Sequence, residues 1–241
     1  MPVPTKISNV DRKNYGYKVT APQNLIKRQN LLLKQKGRVN KIRKVILVTG
    51  TPGVGKTAVA HKLASKLDAI YVGITELVKT EKLITNVDEE RKTLIADTEK
   101  VSKKLQETIA QSKGNIIIEG HYATDVTPNK EVTTVFVLRR DPHKLKSVLE
   151  KRGYNEKKIW ENLAAEILDV CLCDALSACG ADKVCEINVS GKTVEAVVEE
   201  IIQVLEKKQE CRSGTVDWLG KLENEGRLEE FLKKFSSAEQ P

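Results

Sequence analysis

The sequence predicts an α/β fold with three layers, in which a parallel sheet lies between two layers of helices. Short continuous apolar runs, typical of strands buried on both faces, alternate along the chain with stretches of helical periodicity. Residues 50–57 read GTPGVGKT and directly follow the first of these runs. They match G-x-x-x-x-G-K-[ST], a loop that joins a strand to a helix and encloses phosphate groups. In such a sheet, ligands bind at the carboxyl ends of the strands.

Apolar runs predict the strands of this sheet. They are VILVT at 45–49, AIYV at 69–72, NIII at 115–118, TTVFVL at 133–138 and a last run at 184–189. Because helical sequence separates most of these runs, we expect parallel pairing with helices on both faces.

Helical stretches are predicted between the strands. They cover residues 57–67, 74–82, 89–112, a segment through 145–149, a longer helix from 155 to about 176, and 193 to about 206. Two of these helices have clear start signals. Asp141 precedes Pro142 at a first helical position, and Asn155 can cap the helix that follows it.

The N-terminal segment, residues 1–44, carries the basic charge of the chain. It contains 12 Lys and Arg against Asp11 alone, a net charge of +11, whereas the remaining residues carry 29 Lys and Arg against 32 Asp and Glu, a net charge of −3. We expect a largely extended basic arm with one short helix at 25–33.

The C-terminal segment, residues 209–241, is predicted to form a separate helical tail. Its apolar residues recur at helical spacing, namely Trp218, Leu222, Leu228, Phe231, Leu232 and Phe235. This stripe predicts a tail that docks on the central domain, residues 45–208, and a partner-binding helix is the alternative.

Composition indicates a soluble globular protein, with 40% hydrophobic and 31% charged residues among 241. No apolar run approaches the roughly 18 residues that a membrane helix needs, and the N-terminus lacks the apolar stretch of a signal peptide. We therefore expect no membrane partner and a cytoplasmic protein, or a nuclear one if the source is eukaryotic. The five cysteines are odd in number and form no C-x-x-C pair, which favours buried or free thiols, with a disulfide as the alternative.

The loop at 50–57 predicts binding of a nucleoside triphosphate with Mg²⁺. Gly50, Gly53 and Gly55 allow main-chain N–H groups to turn inward around the β-phosphate, and the helix that begins near Lys56 adds the positive end of its dipole. We expect Lys56 to reach the β- and γ-phosphates and the Thr57 hydroxyl to bind Mg²⁺.

A strand that ends in an acid predicts the second part of this site. Glu119 follows an apolar run, and we expect it to hold Mg²⁺ through water. His121 is a candidate for orienting an attacking water or contacting the γ-phosphate, with a structural loop histidine as the alternative. The sequence NKEV at 129–132 lacks the aspartate expected for guanine recognition, which disfavours a GTPase.

Three arginines are candidates for phosphate contacts. Arg139 and Arg140 follow an apolar strand at the active edge of the sheet, and Arg152 precedes the sequence GYNEKK. Arginines placed there can stabilise the negative charge of a transferring phosphoryl group. A solvated basic face is the alternative for each, and we expect the contacts chiefly from Arg152 and Arg139.

Together these motifs resemble the adenylate kinase isoenzyme 6 family, ribosome-assembly ATPases and kinases of archaea and eukaryotes. The resemblance rests on GTPGVGKT, the strand ending in acid-x-His, VFVLRRDP and RGYNEKKIWENLAAEILDV, and it covers residues 45–205. It implies a three-layer P-loop NTPase fold with a monophosphate-binding insertion at 73–96 and a short lid at 151–161. The predicted ATP contacts are then Gly50, Gly53, Val54, Gly55, Lys56, Thr57, Ala58, Arg139 and Arg152.

Two positions depart from the family pattern. Lys79 stands where the family often has an arginine in its monophosphate-side helix, and Ala58 replaces a common second threonine. A lysine contacts phosphate as a point charge and not as a bidentate fork. We therefore expect Lys79 to bind AMP more weakly than an arginine would. For the same reason, the sequence supports ATP hydrolysis more strongly than kinase activity.

The sequence thus predicts transfer of the γ-phosphoryl group of MgATP to AMP or another nucleoside monophosphate, with Lys56, Glu119, His121 and Arg152 as catalytic residues. The resemblance also implies ATP hydrolysis during maturation of the small ribosomal subunit, with a ribosomal protein and rRNA as partners. An assembly factor with little or no kinase activity is the alternative. The basic arm, with Tyr15 and Tyr17 among its lysines, could bind rRNA through phosphates and base stacking.

Overall fold

The computed structural model describes residues 6–8, 43–88 and 93–238 of the chain. The strands in these ranges are β1 (Lys6–Ser8), β2 (Val45–Thr49), β3 (Ile70–Gly73), β4 (Ile84–Asp88), β5 (Thr93–Ala96), β6 (Ile116–Glu119), β7 (Thr134–Arg139) and β8 (Val184–Asn188). The helices are α1 (Lys56–Leu67), α2 (Ile74–Thr80), α3 (Thr98–Gln111), α4 (Ala123–Val126), α5 (Pro142–Lys151), α6 (Glu156–Ile167), α7 (Val170–Cys179), α8 (Val194–Leu205), α9 (Trp218–Asn224) and α10 (Leu228–Ala238). Most of the predicted basic arm, including its helix at 25–33, lies outside the described residues.

A five-stranded parallel sheet in the order β3-β6-β2-β7-β8 forms the centre of the molecule. Strand β2 is the middle strand, with β6 on one side and β7 on the other. Because the five strands run in the same direction, the loop after β2 and the residues after β6 and β7 meet at one edge of the sheet. The predicted parallel sheet is therefore confirmed.

Helices cover both faces of the sheet because side chains of β2 alternate between them. Ile46 and Val48 belong to one buried cluster with residues of α1, α5, α6 and α8, whereas Val45 and Leu47 belong to a second cluster with residues of α2, α3, α4 and α7. Burial of each such side chain contributes about 1.5–3 kcal/mol. The three-layer α/β/α architecture is as predicted.

The predicted helix at 89–112 is wrong in its first part. Strands β4 and β5 pair antiparallel, and β1 pairs with β5 to complete a separate three-stranded sheet. Helix α3 begins only at Thr98, where the Asp97 side chain accepts a hydrogen bond from the Lys100 N–H. β-Branched residues such as Ile84 and Ile95 favour strands, and this preference together with the pairing outweighs the helical spacing.

The predicted helix from Asn155 to about residue 176 is in fact two helices, α6 and α7. Asn155 caps α6 as expected, because its side chain accepts a hydrogen bond from the Lys158 N–H. The break lies at Asp169, which adopts a left-handed conformation with φ 57°. Aspartate tolerates this conformation better than most residues. The Asp169 carboxylate bonds to Arg139 of β7, a long-range contact that local sequence does not reveal.

The C-terminal tail docks on the body of the protein, as predicted. Trp218, Leu222 and Phe231 are buried in the cluster that also contains α5 and α6. A disulfide between Cys185 of β8 and Cys211 ties the start of the tail to the sheet, with 4.9 Å between the two Cα atoms. The prediction of buried or free thiols is therefore wrong for these two cysteines, whereas Cys171, Cys173 and Cys179 are free. In the described part of the chain, no helix has both the length and the apolar character needed to cross a membrane.

Candidate nucleotide-binding site

The loop between β2 and α1 has the backbone geometry that phosphate binding requires. Gly50 has φ +132°, and a Cβ atom there would collide with the carbonyl oxygen of Leu138 on β7. Gly53 has φ +98°, and a Cβ atom there would lie 2.8 Å from a methyl group of Leu145 on α5. Gly55, with φ +108°, is the residue from which α1 begins. The loop and the N-terminus of α1 therefore present their N–H groups at the edge of the sheet where ligands bind.

Lys56 lies folded against the phosphate loop. Its ammonium nitrogen donates hydrogen bonds to the carbonyl oxygens of Gly50 at 2.7 Å and Thr51 at 3.0 Å. Burial lowers the pKa of Lys56, and the negative charge of Glu119 partly offsets this effect. An ammonium group has three N–H donors. The two loop carbonyls therefore leave one donor for a phosphate oxygen.

An acid and a hydroxyl meet beside this lysine. The Thr57 hydroxyl, at the start of α1, donates to the Glu119 carboxylate at the end of β6, with 3.2 Å between the oxygens. Both groups are hard oxygen ligands of the kind that Mg²⁺ prefers, so the pair fits the predicted magnesium site. Within the described ranges, no cluster of three or more His, Cys, Asp and Glu side chains could hold a metal by itself. A magnesium ion here would therefore need phosphate oxygens and water as its other ligands.

Tyr71 of β3 holds the same carboxylate and was missed by sequence reasoning. Its hydroxyl donates to Glu119 Oε2 at 3.2 Å, and its ring stacks on His61 with 3.8 Å between ring centroids. Burial and the nearby Glu119 charge raise the pKa of Tyr71, so the phenol stays protonated as a donor. A tyrosine at the carboxyl end of an apolar strand next to the acidic strand is the signal that could have found it.

His121 lies at the same edge of the sheet, two residues beyond Glu119. Burial lowers its pKa to about 3, and repulsion from the ammonium groups of Lys56 and Lys158 adds to the effect. The imidazole is therefore neutral near pH 7 and can accept a hydrogen bond. Its ring contacts Tyr122 edge-on, with 4.7 Å between centroids.

The two adjacent arginines after β7 have different surroundings. Arg139 is only 1% exposed, and its guanidinium bonds to the side chains of Glu166, Asp169 and Glu186. This position favours a structural role for Arg139 over the predicted contact with ATP. The Arg140 side chain instead donates to the carbonyl oxygen of Val54 in the phosphate loop, at 3.1 Å from Nη2. Arg140, the less favoured candidate, is therefore the one that the structure brings to the loop.

Arg152 ends α5 and is exposed to solvent. In the described ranges its side chain has no hydrogen bond or ion pair, yet its charge acts on the loop. Burial, and after it the charge of Arg152, lowers the pKa of Arg140, and Arg152 also helps to lower the pKa of Lys56. The charge of Arg152 therefore acts on both cations that bond to the loop, and negative phosphates bound there would offset this repulsion.

The remaining predicted contacts are Ala58 and Lys79. Ala58 is exposed in the first turn of α1, where its main-chain N–H is one of the helix-end donors. Lys79 is half-buried in the last turn of α2 and makes no ion pair with any described residue. The structure therefore leaves both available to a ligand but brings neither into contact with the loop side chains.

Glu166 of α6 is a further residue of the site that sequence reasoning did not assign. Its carboxylate is 1% exposed and accepts a hydrogen bond from the Thr51 hydroxyl in the phosphate loop at 2.6 Å. It also accepts one from the main-chain N–H of Arg140 at 2.9 Å. Ile159, Leu163 and Ile167 share the buried face of α6. An acid on such an apolar face is the signal that could have identified Glu166.

The part of the chain that contains this loop is similar to known proteins. Residues 46–169 match the family described as AAA domain. The chain is 43% identical over 176 residues to a protein of Methanocaldococcus jannaschii named "Putative adenylate kinase", a match that covers 73% of this chain and 93% of that relative. The chain therefore belongs to the family of the archaeal proteins that bear this name.

Other archaeal relatives bear the same name. That of Methanosarcina acetivorans is 41% identical over 188 residues, covering 73% of this chain and 97% of the relative. That of Saccharolobus islandicus strain Y.G.57.14 is 36% identical over 195 residues, covering 81% and 98%. Among solved structures, shikimate kinase from Bacteroides thetaiotaomicron is 18% identical with a TM-score of 0.45, over 68% of this chain and 98% of that one. The AAA-domain match contains the phosphate loop, Glu119 and Glu166, whereas the C-terminal tail lies beyond it.

Proposed function

We propose that this chain is an adenylate kinase that converts ATP and AMP to two ADP and also hydrolyses ATP. The observation that carries the proposal is the position of Lys56, Thr57 and Glu119 around a glycine-rich loop at the carboxyl edge of the central strand. The names of the archaeal relatives support adenosine nucleotides as substrates.

In this proposal the loop residues bind and orient the triphosphate. Lys56 donates to the β- and γ-phosphate oxygens, and the N–H groups from Gly53 to Ala58 enclose the β-phosphate. Thr57 and Glu119 would hold Mg²⁺, which when bound neutralises phosphate charge. Arg152, joined by Arg140, stabilises the charge that spreads over the transferring group.

The acceptor would bind on the side of α2 and the β4–β5 pair. This part of the chain contains Lys79, which we propose as the contact to the acceptor phosphate. Residues 151–161 would act as the lid that excludes water during transfer. Neutral His121 would orient a water molecule when no acceptor is bound, which explains how one site performs both transfer and hydrolysis.

The direct test is to incubate the purified protein with MgATP, with and without AMP, and to measure ADP and inorganic phosphate separately. Transfer gives two ADP for each AMP consumed and no phosphate. Hydrolysis gives equal amounts of ADP and phosphate without AMP. A well-folded protein that produces neither ADP nor phosphate would contradict the proposal.

The His121→Ala variant separates the two activities. If the imidazole orients water, we expect ATP hydrolysis to fall about 10-fold to 100-fold while transfer to AMP falls less, because the acceptor phosphate replaces that water. The same two assays measure the change. His143→Ala is the matched control, since His143 lies on α5 against Glu225 of the tail, and it should leave the ratio of the two rates unchanged. An equal loss of both activities in His121→Ala would contradict a water-positioning role.

A second proposed role is ATP-dependent maturation of the small ribosomal subunit, in which the chain binds a ribosomal protein and rRNA. It is favoured by the separation of charge, since residues 1–44 carry a net charge of +11. The resemblance to adenylate kinase isoenzyme 6 also supports this role.

Deleting residues 1–42 tests the RNA contact. We expect RNA affinity of the full chain to fall steeply with salt, with a slope of about −4 in log K against log salt for five or six neutralised phosphates on a single strand. The deletion should remove most of that affinity. It also removes β1, which pairs with β5 on the proposed acceptor side, so ATP hydrolysis in the absence of AMP is the activity that should stay unchanged. A full-length variant with the arm lysines and arginines replaced by glutamine is the matched control for chain length. Unchanged RNA affinity in the deletion would disprove the contact.

A further inference from the structure

The Glu166 carboxylate connects the phosphate loop to the C-terminal tail. One oxygen accepts from the Thr51 hydroxyl at 2.6 Å. The other accepts from Arg139 Nε at 3.0 Å, from the Arg140 N–H at 2.9 Å and from the indole N–H of Trp218 at 3.0 Å. Trp218 is the first residue of α9 and is 6% exposed. Trp218, in the C-terminal tail, therefore supplies one of the four hydrogen-bond donors to the Glu166 carboxylate, which also bonds the loop residue Thr51.

A second buried acid fixes the approach of the tail to this point. One Glu186 oxygen pairs with Arg139 Nη1 at 2.5 Å. The other accepts from the Thr215 N–H at 2.6 Å and from the Val216 N–H at 3.1 Å. Arg139 thus bonds both acids, and the chain from Thr215 to Trp218 closes a ring of contacts between them. The disulfide Cys185–Cys211 holds the preceding segment against β8.

This ring of contacts connects the C-terminal tail to the phosphate loop. Thr51 belongs to the loop itself, and the Arg140 side chain donates to the Val54 carbonyl oxygen. The orientation of both residues depends on Glu166, because it bonds the Thr51 side chain and the Arg140 main chain. Hydrogen bonds to a buried charged acceptor are stronger than neutral ones, so losing one donor alters how tightly the others are held.

We propose that Trp218 is a positioning residue for nucleotide binding, acting through Glu166 on Thr51 and Arg140. The tail is then part of the phosphate-binding apparatus and not only a cover for the hydrophobic core. This inference rests on the proposed function, in which the loop binds MgATP.

The test is the Trp218→Phe variant, which keeps a buried aromatic ring and removes the N–H donor. We expect its Kd for MgATP, measured by calorimetry, to rise about fivefold to tenfold. The KM for ATP should rise by a similar factor, while kcat changes less. Leu222→Ala is the matched control, because Leu222 is a fully buried residue of the same helix that makes no hydrogen bond to Glu166 through its side chain. It should lower Tm but leave the Kd within about twofold.

A double-mutant cycle tests the route. Thr51→Val keeps the shape of the side chain and removes its hydrogen bond to Glu166. If Trp218 acts through this bond, Trp218→Phe should weaken MgATP binding less in the Thr51→Val background than in the wild type, since coupled residues are not additive. Strict additivity would overturn the proposed route.

Two outcomes separate the inference from the proposed function. No binding of MgATP by the folded wild type would overturn both. Normal binding by the wild type and by Trp218→Phe, with a lower Tm in the variant, would overturn only this inference and leave Trp218 a structural residue.

If Trp218→Phe does not fold, benzothienylalanine at position 218, which replaces the indole N–H with sulfur in the same ring shape, should give the same rise in Kd. An unchanged Kd in that variant would also overturn the inference.

Discussion

Replacing Lys56 with alanine is expected to abolish phosphoryl transfer and ATP hydrolysis together. Lys56 is the cation that the loop holds at its centre, bonded to the carbonyl oxygens of Gly50 and Thr51. Loss of a preorganised charge that contacts the transferring group lowers the rate by about 10³-fold or more. Steady-state rates of ADP and phosphate release measure the effect.

The stability of Lys56→Ala is the control for this prediction. Burial lowers the pKa of Lys56, so the unfolded chain binds the proton more tightly than the folded one. The charged form of Lys56 is therefore less favourable in the folded chain than in the unfolded one, which offsets the loss of its two hydrogen bonds, so we expect only a small change in the free energy of unfolding. Activity within tenfold of the wild type would contradict the assigned role, and a large fall in Tm would show that lost activity reflects misfolding.

Replacing Arg139 with methionine should lower the free energy of unfolding more than any of the other substitutions. The guanidinium lies among the carboxylates of Glu166, Glu186 and Asp169, and the first two are buried. Removing the cation leaves buried negative charges facing one another without compensation, which costs about 3–5 kcal/mol. A typical domain has only about 5–15 kcal/mol of stability in total. Urea unfolding measures the loss.

The pH dependence identifies the cause of this loss. In Arg139→Met the buried carboxylates should have raised pKa values, so the variant should regain stability relative to the wild type as the pH falls and those groups take up protons. The matched control is Arg212→Met, because Arg212 is exposed and its ion pair among the described residues is with exposed Glu210. That control should change the free energy of unfolding by less than about 0.5 kcal/mol. A similar small change in Arg139→Met would contradict the structural role.

Local patterns in the sequence predict the sheet and the phosphate loop well. A strand buried on both faces needs a continuous apolar run, and the phosphate loop needs glycines at the positions where its backbone turns. Residues 45–57 show both patterns, so the strand and the loop can be predicted from this segment alone. The helix caps at Asp141 and Asn155 are equally local and are confirmed. The β4–β5 pair was missed because its short strands lack such a run.

Long-range contacts explain what the sequence did not predict. Neighbouring residues at the end of a strand project to opposite sides, so one of Arg139 and Arg140 could be expected to reach the loop, but choosing between them requires knowing that Glu166 and Glu186 lie beside Arg139. The break at Asp169 and the disulfide between Cys185 and Cys211 depend in the same way on partners brought together by the fold. Trp218 was recognised as apolar, but its N–H partner is 52 residues away.

The most direct test of the central claim is a calorimetric titration of MgATP into the full-length protein, with folding checked by circular dichroism. We predict saturable heat that fits one site per chain and disappears in Lys56→Ala. A folded wild-type protein that gives no heat of binding with MgATP would contradict the account.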